Sequence, residues 1–342
     1  DPRGQRFVEK YIQKTDTSSA FSMYLQKIYQ SMTSLDSEEK IRESSRKKRT
    51  AQEWYKRGIL LSVQKKYREG IQAFSHAISL DPQMAKAYQN RGLSYYYLGE
   101  YGKALEDLDK ALALDSNLVQ VYNARGLVHS ALHHYSRALQ DFNQALSLSP
   151  RASSFYVNRG NLYLKMKKLD QAQKDFIEAR KRNPENLYAY VGLGKIAFRQ
   201  QDYQKALNLF QMAWNGGLDL PIVYNGIGLV LMKMKKRKDA IMYFNAAILK
   251  DPKFFQAYLN RGILFVLEKK YQKALQDFNK VLSLKPRYSK AYLYRGEVFR
   301  LLGKKEQAAR DFRKYLILQP NSPQRGQIEA FLRHLQSSKR KE

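Results

Sequence analysis

Two clusters in this chain have residue types and spacings that could do chemistry. Gly192-Leu-Gly194-Lys-Ile-Ala197 fits the G-x-G-x-x-A pattern that lets a backbone approach a dinucleotide pyrophosphate. That pattern works only where a strand leads into it, and here it falls inside a helical periodicity. His129 and His133 stand four apart with His134 adjacent, the spacing of two metal ligands on one helical face. Yet His129 occupies a repeat position held elsewhere by Tyr95 and Tyr163, and no helical Asp, Glu or Cys completes a set. No Ser-His-Asp order, paired carboxylate cleft or phosphate-cradling glycine loop occurs. The expectation is a protein that is not an enzyme, with no cofactor and no metal.

Composition narrows the partners. The 342 residues carry 61 Lys+Arg against 31 Asp+Glu, a formal charge of +30. Such a balance favours acidic partners: a protein segment or surface, tubulin or another filament among them. Nucleic acid fits on charge alone, but no reading helix or stacking platform is evident, so it is not expected. Cysteine is absent and no Asn-x-Ser/Thr acceptor occurs, which fits an intracellular, cytoplasmic protein. The longest apolar run, Ile227–Met232, is far short of the roughly 18–20 residues of a membrane span, so no membrane insertion is expected. No signal peptide is recognisable, and the chain opens on Asp1 without Met, as a segment of something longer would.

The elements that position these residues follow from a period. Stepping by 34 from Ala51 brings Tyr88, Tyr122, Tyr156, Tyr190, Tyr224, Tyr258 and Tyr292 into register, with Trp54 in the first unit. Four residues after each stands a glycine, from Gly58 through Gly126 to Gly296. Twelve further on comes Ala104, Ala138, Ala172, Ala206, Ala240, Ala274 or Ala308, with Gly70 in the first unit. Four past those stands Phe, or Leu108 in the second unit, and Pro82, Pro150, Pro184, Pro252, Pro286 and Pro320 close most units. The units are 51–84, 85–118, 119–152, 153–186, 187–220, 221–254, 255–288 and 289–322.

The pattern resembles the tetratricopeptide repeat family's W-x2-L-G-x2-Y…A-x3-F…P signature. The resemblance implies an all-α fold, a right-handed αα-superhelix of antiparallel hairpins (helix A, then helix B), with a concave face that grips other proteins. Each helix is about 14 residues, only marginally stable alone in water, so each hairpin depends on its neighbours. The small Gly and Ala let the two axes approach, and the aromatics fill the space beside them.

A second regularity pairs charge with charge. Arg91, Arg125, Arg159, Arg261 and Arg295 precede the repeat glycine, and sixteen residues later stand Asp107, Asp141, Asp175, Asp277 and Asp311. Where the arginine becomes Leu193 or Ile227, the acid becomes Leu209 or Tyr243; Arg57, opposite Ala73, departs from the rule. These pairs are expected to be structural, joining helix A to helix B.

In the family the concave face is built from helix A. Here the matching positions give a peptide groove of Lys86, Asn90, Tyr97, Asn123, Asn158, Asn161, Lys165, Tyr188, Lys195, Arg199, Asn225, Lys233, Asn260, Lys290 and Arg300. Amides suit a peptide backbone and bases its carboxylates. The chaperone carboxylate clamp is missing: around Asn90 its other positions hold Tyr55, Ile59, Gln120 and Ala124. A continuous asparagine ladder is interrupted by Lys56, Ala124, Gly192, Gly226 and Tyr294. Lysine doublets in the A–B turns (Lys65, Lys66, Lys167, Lys168, Lys235, Lys236, Lys269, Lys270, Lys304, Lys305) are expected to form a basic rim.

Residues 1–50 do not match the repeat. Phe7, Val8, Tyr11 and Ile12, then Phe21, Tyr24, Leu25, Ile28 and Tyr29, make two apolar stripes at helical spacing, read as an N-terminal helical cap or arm. Asp36–Arg49 reads as a charged, solvated helix. Residues 323–342 give a capping helix, with Ile328, Phe331, Leu332 and Leu335 inward, and a basic tail. Trp214-Asn-Gly216-Gly217 replaces the usual end of the fifth unit, where a change of pitch is expected. The functional expectation is a non-catalytic scaffold binding an acidic or extended protein segment along its groove and rim. The alternatives are a structural subunit of a cytoskeletal or ciliary, microtubule-associated assembly, and a targeting domain of a larger enzyme.

Overall fold

The computed structural model describes residues 50–339, so the N-terminal stripes and the charged Asp36–Arg49 segment lie outside the described residues. Among the described residues there are seventeen α-helices and no strand. The first four pairs are hairpins: α1 (Ala51–Val63) and α2 (Tyr67–Leu80), α3 (Ala85–Leu98) and α4 (Tyr101–Leu114), α5 (Val119–Ala131) and α6 (Tyr135–Leu148), α7 (Ser153–Lys165) and α8 (Leu169–Arg182). Next come α9 (Leu187–Arg199) and α10 (Tyr203–Asn215), α11 (Pro221–Lys233) and α12 (Arg237–Lys250), α13 (Phe255–Leu267) and α14 (Tyr271–Leu284), α15 (Ser289–Leu301) and α16 (Lys305–Leu318). A last helix, α17 (Arg325–Lys339), follows. The chain divides into two compact units, Asp1–Ile196 and Ala197–Glu342.

Within each unit the repeat residues explain the packing. In the first, a Cβ on Gly126 would lie 2.8 Å from the ring of Phe142, and one on Gly58 would lie 2.5 Å from Phe74. In the second, Gly228, Gly262 and Gly296 face Phe244, Phe278 and Phe312 in the same way. The rings are buried, as are the repeat alanines Ala104, Ala138, Ala240 and Ala274. Each buried Phe contributes about 1.5–3 kcal/mol, available only because the glycine lets helix A close onto helix B. The first helix opens with a capping box: the Thr50 hydroxyl accepts from the Glu53 amide at 3.3 Å, and the Glu53 carboxylate accepts from the Thr50 amide at 2.7 Å.

The A–B turns share one geometry. Lys65, His133, Lys167, Gln201, Lys235 and Lys269 have φ between 57° and 64°, and Gly99 and Gly303 hold the same place at 78° and 71°. This is the left-handed residue that ends a helix in a Schellman turn. The following amide closes the turn by donating five residues back, as from Lys66 to Leu61 and from Lys168 to Tyr163. Four of the five lysine doublets therefore place their first lysine in left-handed geometry. The fifth does not: Gly303 takes that place, Lys304 is the N-cap residue of α16 and Lys305 opens the helix. Lys304 and Lys305 are thus one register beyond the other doublets, because the sequence puts its pair after the turn glycine.

The B–A turns use side chains instead. Asp81, Asp115, Asn183 and Asp251 each accept from the amide two residues on, at 2.8–3.0 Å, and the prolines that follow three of them bar further helix. The turn after α10 differs, with Gly217 at φ 97°. Tyr224 donates to Asp219, receives a bond from Trp214 Nε1, and Lys250 pairs with the same Asp219.

Candidate protein-binding face

Charged side chains on the A helices fall into two populations. The first is locked. Arg91, Arg159, Arg261 and Arg295 each place Nε and Nη2 on the two carboxylate oxygens of Asp107, Asp175, Asp277 and Asp311, at 2.6–2.9 Å; Arg125 reaches Asp141 at 2.7–3.2 Å. Nη1 then reaches back to helix B of the preceding hairpin: to Ser75, Asp109, Asn143, Asn245 or Asn279. Each guanidinium also lies within 6 Å of a tyrosine ring three residues earlier, such as Tyr88 or Tyr258. Such an arginine is a staple across three helices.

Electrostatics follow the burial. Removal from water pushes the carboxyls of Asp107 and Asp277 up, while hydrogen bonds to Asp107 and Asp175 push Arg91 and Arg159 up. Burial works against the charge of Arg125, but bonds to Asp141 and Asp109 outweigh it and its pKa rises. The partner at the back of each staple was legible: that position is polar in each repeat preceding an arginine, and Ile177 precedes Leu193.

The groove amides largely bind one another. Asn158 donates to Asn123 at 2.9 Å in the first unit, and Asn260 to Asn225 at 2.8 Å in the second. Asn90 donates to the Tyr55 hydroxyl at 3.0 Å. All three bonds span 35 residues, from the sixth position of one repeat to the fifth of the one before. Asn90, Asn123 and Asn225 are buried, Asn158, Asn161 and Asn260 half-buried. Ala124 cannot extend the ladder, and Gln89 Nε2 is buried without a partner among the described residues. Lys165 turns back in the same way, donating to Ser130 Oγ at 2.9 Å near the C-terminus of α5, and burial holds its pKa below the ordinary lysine value. Arg300 pairs with Glu297 at 2.8 Å, and Tyr97 stacks on Tyr67 with centroids 4.9 Å apart.

The second population is open. Lys86, Lys233 and Lys290 are exposed and form no ion pair among the described residues. The turn lysines are exposed as well, and of these Lys270 pairs with Glu268 at 2.6 Å. Outside this population, Arg199 is exposed and engaged, Lys195 is half-buried and engaged, and Tyr188 is half-buried, its hydroxyl without a partner among the described residues.

The two chemical motifs dissolve into packing. Gly192 lies mid-helix, where a Cβ would run into the Phe176 ring. The ring of His129 is buried and approaches Asp141 at 4.0 Å, His133 bonds Tyr135, and His134 holds the N-cap position of α6 without a side-chain capping bond. Among the described residues no three His, Cys, Asp or Glu side chains gather as a metal set, and no helix is long and apolar enough to cross a membrane.

Comparison with known proteins agrees with this architecture. Family profiles described as tetratricopeptide repeat match residues 85–118, 119–152, 157–214, 222–254, 255–288 and 290–322. No curated protein matches the chain in sequence. Among solved structures, the APC/C hetero-tetramer Cut9-Hcn1 is similar at TM-score 0.70 and 16% identity, over 93% of this chain. Yeast Tom70 is similar at 0.58 and 19%, over 86%, and a tetratricopeptide repeat protein from Parabacteroides merdae at 0.60 and 17%, over 73%. The chain spans 60% of the matched Cut9-Hcn1 chain, 66% of Tom70 and 98% of the Parabacteroides protein. Residues 51–84, outside every family match, still form the hairpin α1–α2. The regular hairpins, the glycine–phenylalanine contacts and the profile matches make one conclusion: the chain belongs to the tetratricopeptide repeat family.

Proposed function

We propose that the protein is a non-catalytic scaffold that holds an extended, acidic segment of another protein against its A helices and the lysines of its A–B turns. The observation that supports this is the division among its cations. Five arginines are neutralised inside the hairpins, while Lys86, Lys233, Lys290 and the turn lysines other than Lys270 stand in solvent with no ion-pair partner among the described residues. Uncompensated like charges repel one another, and an acidic ligand relieves that repulsion while being steered to the site. The amide ladder moves the weight of recognition from asparagines to bases, because most of the amides already have partners.

The test is fluorescence anisotropy with a labelled oligoglutamate peptide and a glutamine peptide of the same length. Binding of the glutamate peptide alone, weakening steeply with salt and lost in K86E/K233E/K290E, supports the reading. Equal binding of both peptides contradicts it. A long acidic filament surface is the second reading, favoured by doublets recurring at one turn position in four hairpins. Co-sedimentation with microtubules, abolished by reversing Lys167, Lys168, Lys235 and Lys236, separates it from the first.

A further inference from the structure

A second site lies at the end of the solenoid, away from the A helices. Between α16 and α17 is a cleft of about 380 Å³, lined by Glu306, Ala309, Arg310, Arg313, Leu335 and Gln336. Its floor is apolar: Ala309 and Leu335 are buried. Its wall carries two guanidinium groups one helical turn apart, both exposed and neither in an ion pair among the described residues.

The repeat register makes these arginines unusual. Arg313 stands at the position that in earlier repeats holds Ser75, Asp109, Asn143, Asn245 or Asn279, the residue that accepts a bond from the next hairpin's arginine. In the last hairpin the acceptor has become a donor. The residue of α17 in the matching register is Glu329, and its carboxylate is engaged by Arg325 at 2.8 Å. The device that closes every stapled junction is therefore reversed here and left without its counterpart.

We propose that this cleft binds a short segment of a protein partner in which an apolar side chain is flanked by carboxylates, the apolar group seated on Ala309 and Leu335 and the carboxylates on Arg310 and Arg313. The charge complementarity is direct: arginine forks match carboxylates in two-bond geometry, and the apolar floor supplies burial that a free anion would not use. This site is independent of the A-helix face, so either can fail without the other.

The experiment uses the full chain and a synthetic hexapeptide, Glu-Glu-Leu-Glu-Glu-Gly, read by hydrogen exchange and anisotropy. In the K86E/K233E/K290E background, which removes the A-helix site, slower exchange in residues 325–336 at saturating peptide is expected, with affinity falling at least tenfold when R310E/R313E is added. A matching thermal melt shows that R310E/R313E is folded, and R310K/R313K retains part of the affinity. Protection absent from 325–336, unchanged affinity in R310E/R313E, or equal binding of the peptide with Gln for Glu overturns the proposal. So does equal binding when Ser replaces its Leu.

Discussion

Arg159 Nη1 donates to Asn143 Oδ1 at 2.7 Å, tying α7 to the helix B of the hairpin before it, while the same guanidinium holds Asp175 within its own hairpin. Removing it leaves a buried carboxylate without its charge partner. R159A is expected to cost about 3–5 kcal/mol, read by urea denaturation and by loss of exchange protection in α7 and α8. The triple variant R159L/D175L/N143I copies Leu193, Leu209 and Ile177 and is expected to recover to within about 1.5 kcal/mol of native. A single variant no worse than the triple one contradicts the staple.

Gly126 and Gly102 make a paired test of close approach. A Cβ on Gly126 meets the Phe142 ring at 2.8 Å, whereas one on Gly102 meets nothing within 4 Å. G126A is expected to destabilise by about 1–3 kcal/mol, and G102A to stabilise by about 0.5–1 kcal/mol through helix propensity. Thermal melts of the two variants should move in opposite directions.

Turn strain is addressable at Lys167, whose φ is 62°. A left-handed residue with a Cβ costs roughly 1–2 kcal/mol, so K167G is expected to raise the melting temperature although it removes a charge. K167A retains the Cβ and should not. In reverse, G303A, at φ 71°, should lower it.

Acid sensitivity should centre on His129. Burial lowers its pKa; Asp141 pulls the other way, and Arg125, Arg137 and His134 reinforce burial. In the unfolded chain the ring takes a proton near its ordinary value of 6.5. Between that value and the lower folded one, the unfolded chain binds more protons, so stability falls as pH drops through this window. H129Y, the residue type of Tyr95 and Tyr163, is expected to flatten the stability–pH curve there, measured by urea midpoints between pH 7 and 5.

Much of this was readable from residues. The 34-residue step fixed which glycine meets which phenylalanine, and covariation of Arg159 with Asp175 marked their pairing. Two features escaped. The amide ladder joins residues 35 apart, one more than the repeat, so Asn123 and Asn158 look like separate groove residues when only the 34-step is followed. The left-handed turns are announced by Gly99 and Gly303 but hidden by Lys65, His133 and Gln201, because packing of both flanking helices imposes a φ that propensity disfavours. Sequence also placed Lys304 and Lys305 with the other doublets, since charge pattern alone does not reveal where a turn begins.

The most direct test of the proposed binding face is photo-crosslinking. A photoreactive residue is placed at Lys233, on the A-helix face, or at Met242, on the exposed side of α12, and each protein is irradiated with the labelled oligoglutamate peptide. The account predicts a crosslink from position 233, competed away by unlabelled peptide, and none from 242. Equal labelling at both, or labelling at 242 alone, would contradict it.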